Sequence, residues 1–157
     1  MPGSDVNAAY LDGLKMLARR ELSEAQVRQR LTRRGHESTA IDDAVARLRA
    51  EHAIDDARVA EAIARTETSV RRRGRLRVRL KIERAGIAAA TAKSAVDQAF
   101  DAIDDDRLIE ASIAKRLHGR ETIADDREFQ RMYRYLVVQG FEPDRIMTAL
   151  TARRRGE

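Results

Sequence analysis

The 157-residue chain has no cysteine, no tryptophan and only two prolines, Pro2 and Pro143. Without thiols there is no disulfide to staple the fold and no thiolate to hold zinc, and a reducing interior suits the protein. Two prolines leave almost the whole chain free of the residue that breaks helices. Aromatic residues amount to 4%, so the core must be made of Ala, Leu, Ile and Val, as in packed helices, and rings for stacking single-stranded bases are scarce. No apolar run approaches the roughly 20 residues of a membrane span, and the first residues lack a signal peptide's hydrophobic segment. A soluble cytoplasmic protein is expected. A glycine-rich phosphate loop is missing too, since Gly74 stands alone among arginines, and His36, His52 and His118 are scattered outside any nucleophile or metal motif. These absences argue against an enzyme and against a cofactor.

What the chain does have is charge, concentrated in one place. From Arg71 to Arg84 it reads RRRGRLRVRLKIER, with cations at Arg71, Arg72, Arg73, Arg75, Arg77, Arg79, Lys81 and Arg84 against the single acid Glu83. That is a net +7 in a chain whose total is +5, so the remainder is slightly acidic. A local excess of this density builds a potential that draws in anionic surfaces, and the eight cations are the candidate contact residues for an acidic protein or for nucleic acid.

Within the run, Leu76, Val78, Leu80 and Ile82 alternate with cations, the period of a half-buried strand. An internal repeat overrules that local pattern. Gly35, Gly86 and Gly140 each close a helix-like segment. Leu31 and Val27, Ile82 and Val78, and Leu136 and Met132 stand four and eight positions before them; Ile41 and Val45, Ala92 and Val96, and Ile146 and Leu150 stand six and ten after. Those are helical offsets, and a glycine in the left-handed conformation is the usual helix stop. The reading is all-α: nine helices in three tandem three-helix, helix-turn-helix-like repeats spanning residues 1–53, 54–102 and 103–157, arranged as an elongated array with no strand at Leu76 to Ile82.

Local signals fill in the frame. A first helix from Asp5 to Arg20 carries Tyr10, Leu11, Leu14 and Leu17 as its apolar stripe. Ser23 with Gln26 forms a capping box, Ser38 opens the third helix, and Pro143 suits the first turn of the last. Asp55 with Asp56, and Asp104 to Asp106, invite a metal reading, but directly before helices they read as N-caps. In the third repeat Leu108, Ala111, Ile113 and Leu117 point inward, Phe141 packs over its turn, and Arg153 to Arg155 form a small second basic cluster. If Val78 and Ile82 face the core, Arg73, Arg77, Lys81 and Arg84 should share a solvent-facing ridge.

Taken together, Leu11, Leu14, Leu17, Ala18 and Arg19 in a short opening, Ser23-Glu24 at a helix start, Ile54-Asp55-Asp56 followed by Val59-Ala60, Gly86-Ile87 and Gly140-Phe141 resemble the RecX family over nearly the whole chain. Val138-Gln139, where an Arg-rich pair is more usual, and Ile82, where Leu is more usual, depart from its pattern. The resemblance implies a non-enzymatic modulator, mostly an inhibitor, of the recombinase RecA. Such a protein binds the RecA filament on single-stranded DNA, blocks its extension or promotes its disassembly, and so limits strand exchange and the co-protease role. A monomer is expected, and direct contact with DNA is left open. The residues themselves leave a second class open, an autonomous helix-turn-helix binder of nucleic acid.

Overall fold

The computed structural model describes residues 2–154, with side chains from Asp5 onward; Arg155 of the expected C-terminal cluster lies outside the described residues. Among these, nine α-helices follow one another: α1 (Pro2–Arg19), α2 (Glu24–Arg33), α3 (Ser38–Ala50), α4 (Asp56–Arg65), α5 (Arg75–Arg84), α6 (Ala89–Phe100), α7 (Asp105–Leu117), α8 (Asp126–Gln139) and α9 (Pro143–Ala152). No strand occurs among the described residues beyond an isolated bridge between Ile123 and Arg154.

The alternating run is helical, and its burial shows why the strand period misleads. Val78 and Ile82, four apart, are fully buried, whereas Leu76 and Leu80, also four apart, remain 50% and 45% exposed. A strand would place all four on one face; a helix separates them into an inner and an outer pair.

Two compact units make up the chain, residues 1–62 with 82–95 and residues 63–81 with 96–157. In the first, α1 lies along α3 around a core of Ala9, Met16, Val27, Leu31, Val45 and Leu48. Gly13 is what allows the approach, since a Cβ there would stand 2.8 Å from Leu48 Cδ1. That contact turns Ala9, Gly13 and Met16 inward and leaves Leu11, expected in the core, 47% exposed. In the second unit Ile109, Ile113, Leu117, Phe129, Leu136, Ile146 and Leu150 form the core. Ile109 takes the inward place expected of Ala111, which is exposed, because 109, 113 and 117 repeat at four-residue steps along one stripe of α7.

The capping box at Ser23 and Gln26 is present, Pro143 opens α9, and Phe141 is buried over its turn. After Arg65 the chain makes a π-helical turn, Thr66–Val70, in which the Thr68 and Ser69 hydroxyls donate to the Ala64 and Arg65 carbonyls and so compete with the α-helical ladder.

All three repeat glycines have positive φ, 88° at Gly35, 82° at Gly86 and 98° at Gly140. Two of them also dock. Gly86 sits on the start of α2, where its missing Cβ would stand 2.4 Å from Ala25 Cβ and where the Ser23 hydroxyl donates to the Ala85 carbonyl. Gly140 sits in the same way on the start of α5, where a Cβ would come within 2.5 Å of the Arg77 nitrogen. Around Gly35 there is open space. The docking recurs with the repeat: the turn that closes one long helix rests on the start of the equivalent helix about fifty residues earlier.

The aspartate pairs take part in this docking. Asp55 accepts from the Arg58 amide and caps its own helix, but Asp56 accepts from the Glu24 amide at 2.9 Å, at the start of α2. Likewise Asp104 caps α7 through the Asp106 and Arg107 amides, while Asp105 bonds Arg75, the first residue of α5. In each pair the first carboxylate caps locally and the second reaches an earlier helix, which corrects the expectation that both are caps.

Candidate functional site

The basic run reaches its helix through an unusual N-terminus. No side chain caps α5; the Gly74 amide donates to the Gln139 carbonyl at 2.8 Å and the Leu76 amide to the Gly140 carbonyl at 3.0 Å. The unsatisfied carbonyls at the end of α8 thus meet the unsatisfied amides at the start of α5, and both helix ends are paid in one contact. The Gly74 and Gly140 backbones touch, since a Cβ on Gly74 would stand 2.5 Å from the Gly140 carbonyl carbon. This junction places the Val137–Val138 end of α8 beside the start of α5.

Cations near a helix N-terminus work against the helix dipole, and the nearest ones here are each held by an acceptor. Arg75 bonds Asp105 at 2.9 Å, lies 3.8 Å from Asp97 and covers the Phe100 ring. Arg77 donates to the Val138 carbonyl at 3.1 Å. Arg73 donates to the Gln139 side chain at 2.5 Å. All three are half-buried. Lys81 bonds the buried carboxylate of Glu67 at 2.6 Å, and Arg71 stands 3.7 Å from the same oxygen. Arg72, in the left-handed region at φ 52°, Arg79 and Arg84 are exposed.

The expected ridge of Arg73, Arg77, Lys81 and Arg84 therefore does not form as a solvated face. On α5, positions 77 and 81 flank the buried stripe of Val78 and Ile82, and the outward face belongs to Leu76 and Leu80 with Arg79 at its edge. Of the eight cations, Arg71, Arg72, Arg79, Lys81 and Arg84 reach solvent, and Arg73, Arg75 and Arg77 anchor the run to α8 and to the helix starts around it. Sequence reasoning missed Glu67, the carboxylate on which Arg71 and Lys81 converge; the signal was a lone acid amid Thr66, Thr68 and Ser69 just ahead of the run.

No cluster of three or more metal-ligating groups is present among the described residues. The histidines hold turn and surface positions: His52 and His118 have left-handed backbones at helix ends, and His36 bonds Asp12 at 2.6 Å. That bond, with Arg34 beside it, holds the Asp12 carboxyl below its ordinary pKa.

The same arrangement of helices is found in the crystal structure of RecX from Lactobacillus salivarius, with a TM-score of 0.76 over 96% of this chain and 97% of that one, at 19% identity. A family model described as the first three-helix domain of RecX matches residues 9–48. The regulatory protein RecX of Chromohalobacter salexigens is 31% identical over 141 residues, covering 88% of each chain. The chain belongs to the RecX family. The regulatory protein RecX of Halorhodospira halophila, 29% identical over 140 residues, spans 88% of this chain and 84% of its own. In this chain the turns at Gly86 and Gly140 dock on helix starts, and Ile87 and Phe141 beside them are buried. Among the described residues no helix is long and apolar enough to cross a membrane.

Proposed function

We propose that this chain regulates the RecA recombinase by binding its filament on single-stranded DNA and limiting filament extension and activity, as a monomeric, cytoplasmic, non-enzymatic protein. The three tandem repeats, 1–53, 54–102 and 103–157, are the units of that binding surface. Arg71, Arg72, Arg79, Lys81 and Arg84 are its contact cations, with Arg73, Arg75 and Arg77 holding them in place.

One observation carries the choice of partner surface. Leu76, Leu80 and Val138 are 50%, 45% and 64% exposed in the same neighbourhood as the cations. Exposed aliphatic side chains gain nothing against phosphates, but they gain from burial against another protein. Mixed apolar and basic character suits an acidic protein face with an apolar centre better than a bare duplex groove.

The test is a titration of the chain into the single-strand-dependent ATPase of RecA, beside Leu76→Ser/Leu80→Ser. The parent should suppress ATPase activity, and the variant should melt like the parent while losing at least tenfold in potency. A parent without effect on the recombinase would overturn the function; a variant with full potency would overturn the surface. Site-specific binding of the parent to naked duplex at about 10⁻⁸ M would favour an autonomous nucleic-acid binder instead.

A further inference from the structure

A cleft of about 530 Å³ opens between α1 and α2 in the first unit, and its rim is cationic. Lys15, Arg19 and Arg20 line one side, Arg30, Arg33 and Arg34 the other, and the buried Met16 lies at its floor. No carboxylate lines it. Arg34 pairs with Asp12 at 3.3 Å, whereas Arg19, Arg20, Arg30 and Arg33 have no ion pair or side-chain hydrogen bond among the described residues.

Basic residues in a last helical turn complement the dipole, which explains Arg19 on α1 and Arg30 and Arg33 on α2. It does not explain why Lys15, Arg20 and Arg34 join them around one cleft. Lys15 with Arg19, and Arg30 with Arg33 and Arg34, stand three or four apart, so each helix repeats its charge along the cleft. Five of the six are arginines, whose planar forks hold phosphate oxygens in pairs. The one apolar side chain in the lining, Met16, is buried.

We infer that this cleft binds the sugar–phosphate backbone of a nucleic-acid strand. It has no aromatic lining, so it reads charge and leaves the bases unread. Arg19, Arg20, Arg30 and Arg33 have no carboxylate partner among the described residues, which leaves them to phosphates. This site shares no residue with the proposed recombinase contact and holds whether or not that contact exists.

The test uses the full chain without recombinase and a fluorescent dT oligonucleotide of about 20 nucleotides, with anisotropy followed from about 50 to 200 mM salt. Arg19→Gln/Arg30→Gln/Arg33→Gln should lose at least tenfold in affinity. Its slope of log K against log salt should be shallower by about 2, roughly 0.7 for each of three lost phosphate contacts. Replacing dT by dA should change the parent's affinity by less than about twofold, since no base is stacked. Arg33→Glu alone, at an exposed helix end, should move affinity and slope the same way and serves should the triple variant fail to fold. Unchanged slopes in these variants would overturn the site. So would polyglutamate displacing the oligonucleotide as well as unlabelled dT of equal charge, which would make the cleft a seat for acidic protein.

Discussion

Eight cations between Arg71 and Arg84 and the six that line the cleft between α1 and α2 give this molecule two basic regions. In the first, Arg73, Arg75, Arg77 and Lys81 are bonded to Gln139, Asp105, the Val138 carbonyl and Glu67. In the second, four arginines have no such partner among the described residues, and the cleft they line contains no acid. The denser run in sequence is the more heavily used inside the fold. Linear charge density therefore overstates what a helix offers to a partner, because a cation is available only to the extent that its own fold has left it unpaired.

The largest effect should come from breaking the anchorage of the run. Gly140→Val adds a Cβ where the Arg77 backbone stands 2.5 Å away, on top of the left-handed penalty at φ 98°. It should cost about 3 kcal/mol or more, while Gly35→Val, with open space around it, should cost only the conformational 1 to 2 kcal/mol or so. Thermal melts of the two variants make the comparison, and equal losses would mean that the docking contributes nothing.

A smaller loss is expected from Glu67→Gln. Its carboxylate is 1% exposed and receives Lys81 while facing Arg71. An amide keeps the shape and removes the charge, so stability should fall by about 1 to 2 kcal/mol at pH 7, read by denaturant unfolding. No loss would place Lys81 among the free cations and narrow the contrast between the regions.

The smallest effect sharpens the comparison from the cleft side. Asp12 pairs with Arg34, one of the cleft's lining residues, and with His36. Its pKa is lowered chiefly by the His36 hydrogen bond, so its stabilising contribution is present above the unfolded value, about 3.9, and is lost as pH falls through the lower folded value. Asp12→Asn should lower the melting temperature slightly at pH 7, with the gap to the parent closing in acid. It should also strengthen oligonucleotide binding by up to about twofold, since Arg34 is released.

The all-helical fold was legible because Gly35, Gly86 and Gly140 with their flanking aliphatics repeat a pattern long enough to outvote the alternation at Leu76 to Ile82. Helix caps at Ser23, Asp55 and Asp104 were legible because they act over three residues. Long-range roles were not. Asp56 on the Glu24 amide, Asp105 on Arg75 and Glu67 under Lys81 pair residues 32, 30 and 14 positions apart, and no local rule distinguishes such an acid from a solvated one. The cleft was hidden for the opposite reason: its cations are spread over twenty residues among acids and become a cluster only when α1 and α2 pack.

The most direct test sets the two regions side by side in one thermal melt, Arg73→Gln/Arg75→Gln/Arg77→Gln against Arg19→Gln/Arg30→Gln/Arg33→Gln. Both remove three positive charges. The first should lower the melting temperature by about 10 °C or more, because three half-buried cations lose charge-assisted partners. The second should stay within about 2 °C of the parent, as Arg19 and Arg33 are exposed, Arg30 is half-buried and none of the three has a charged partner among the described residues. Equal shifts, or a larger shift from the cleft variant, would contradict the division of labour between an anchoring run and a free cationic cleft.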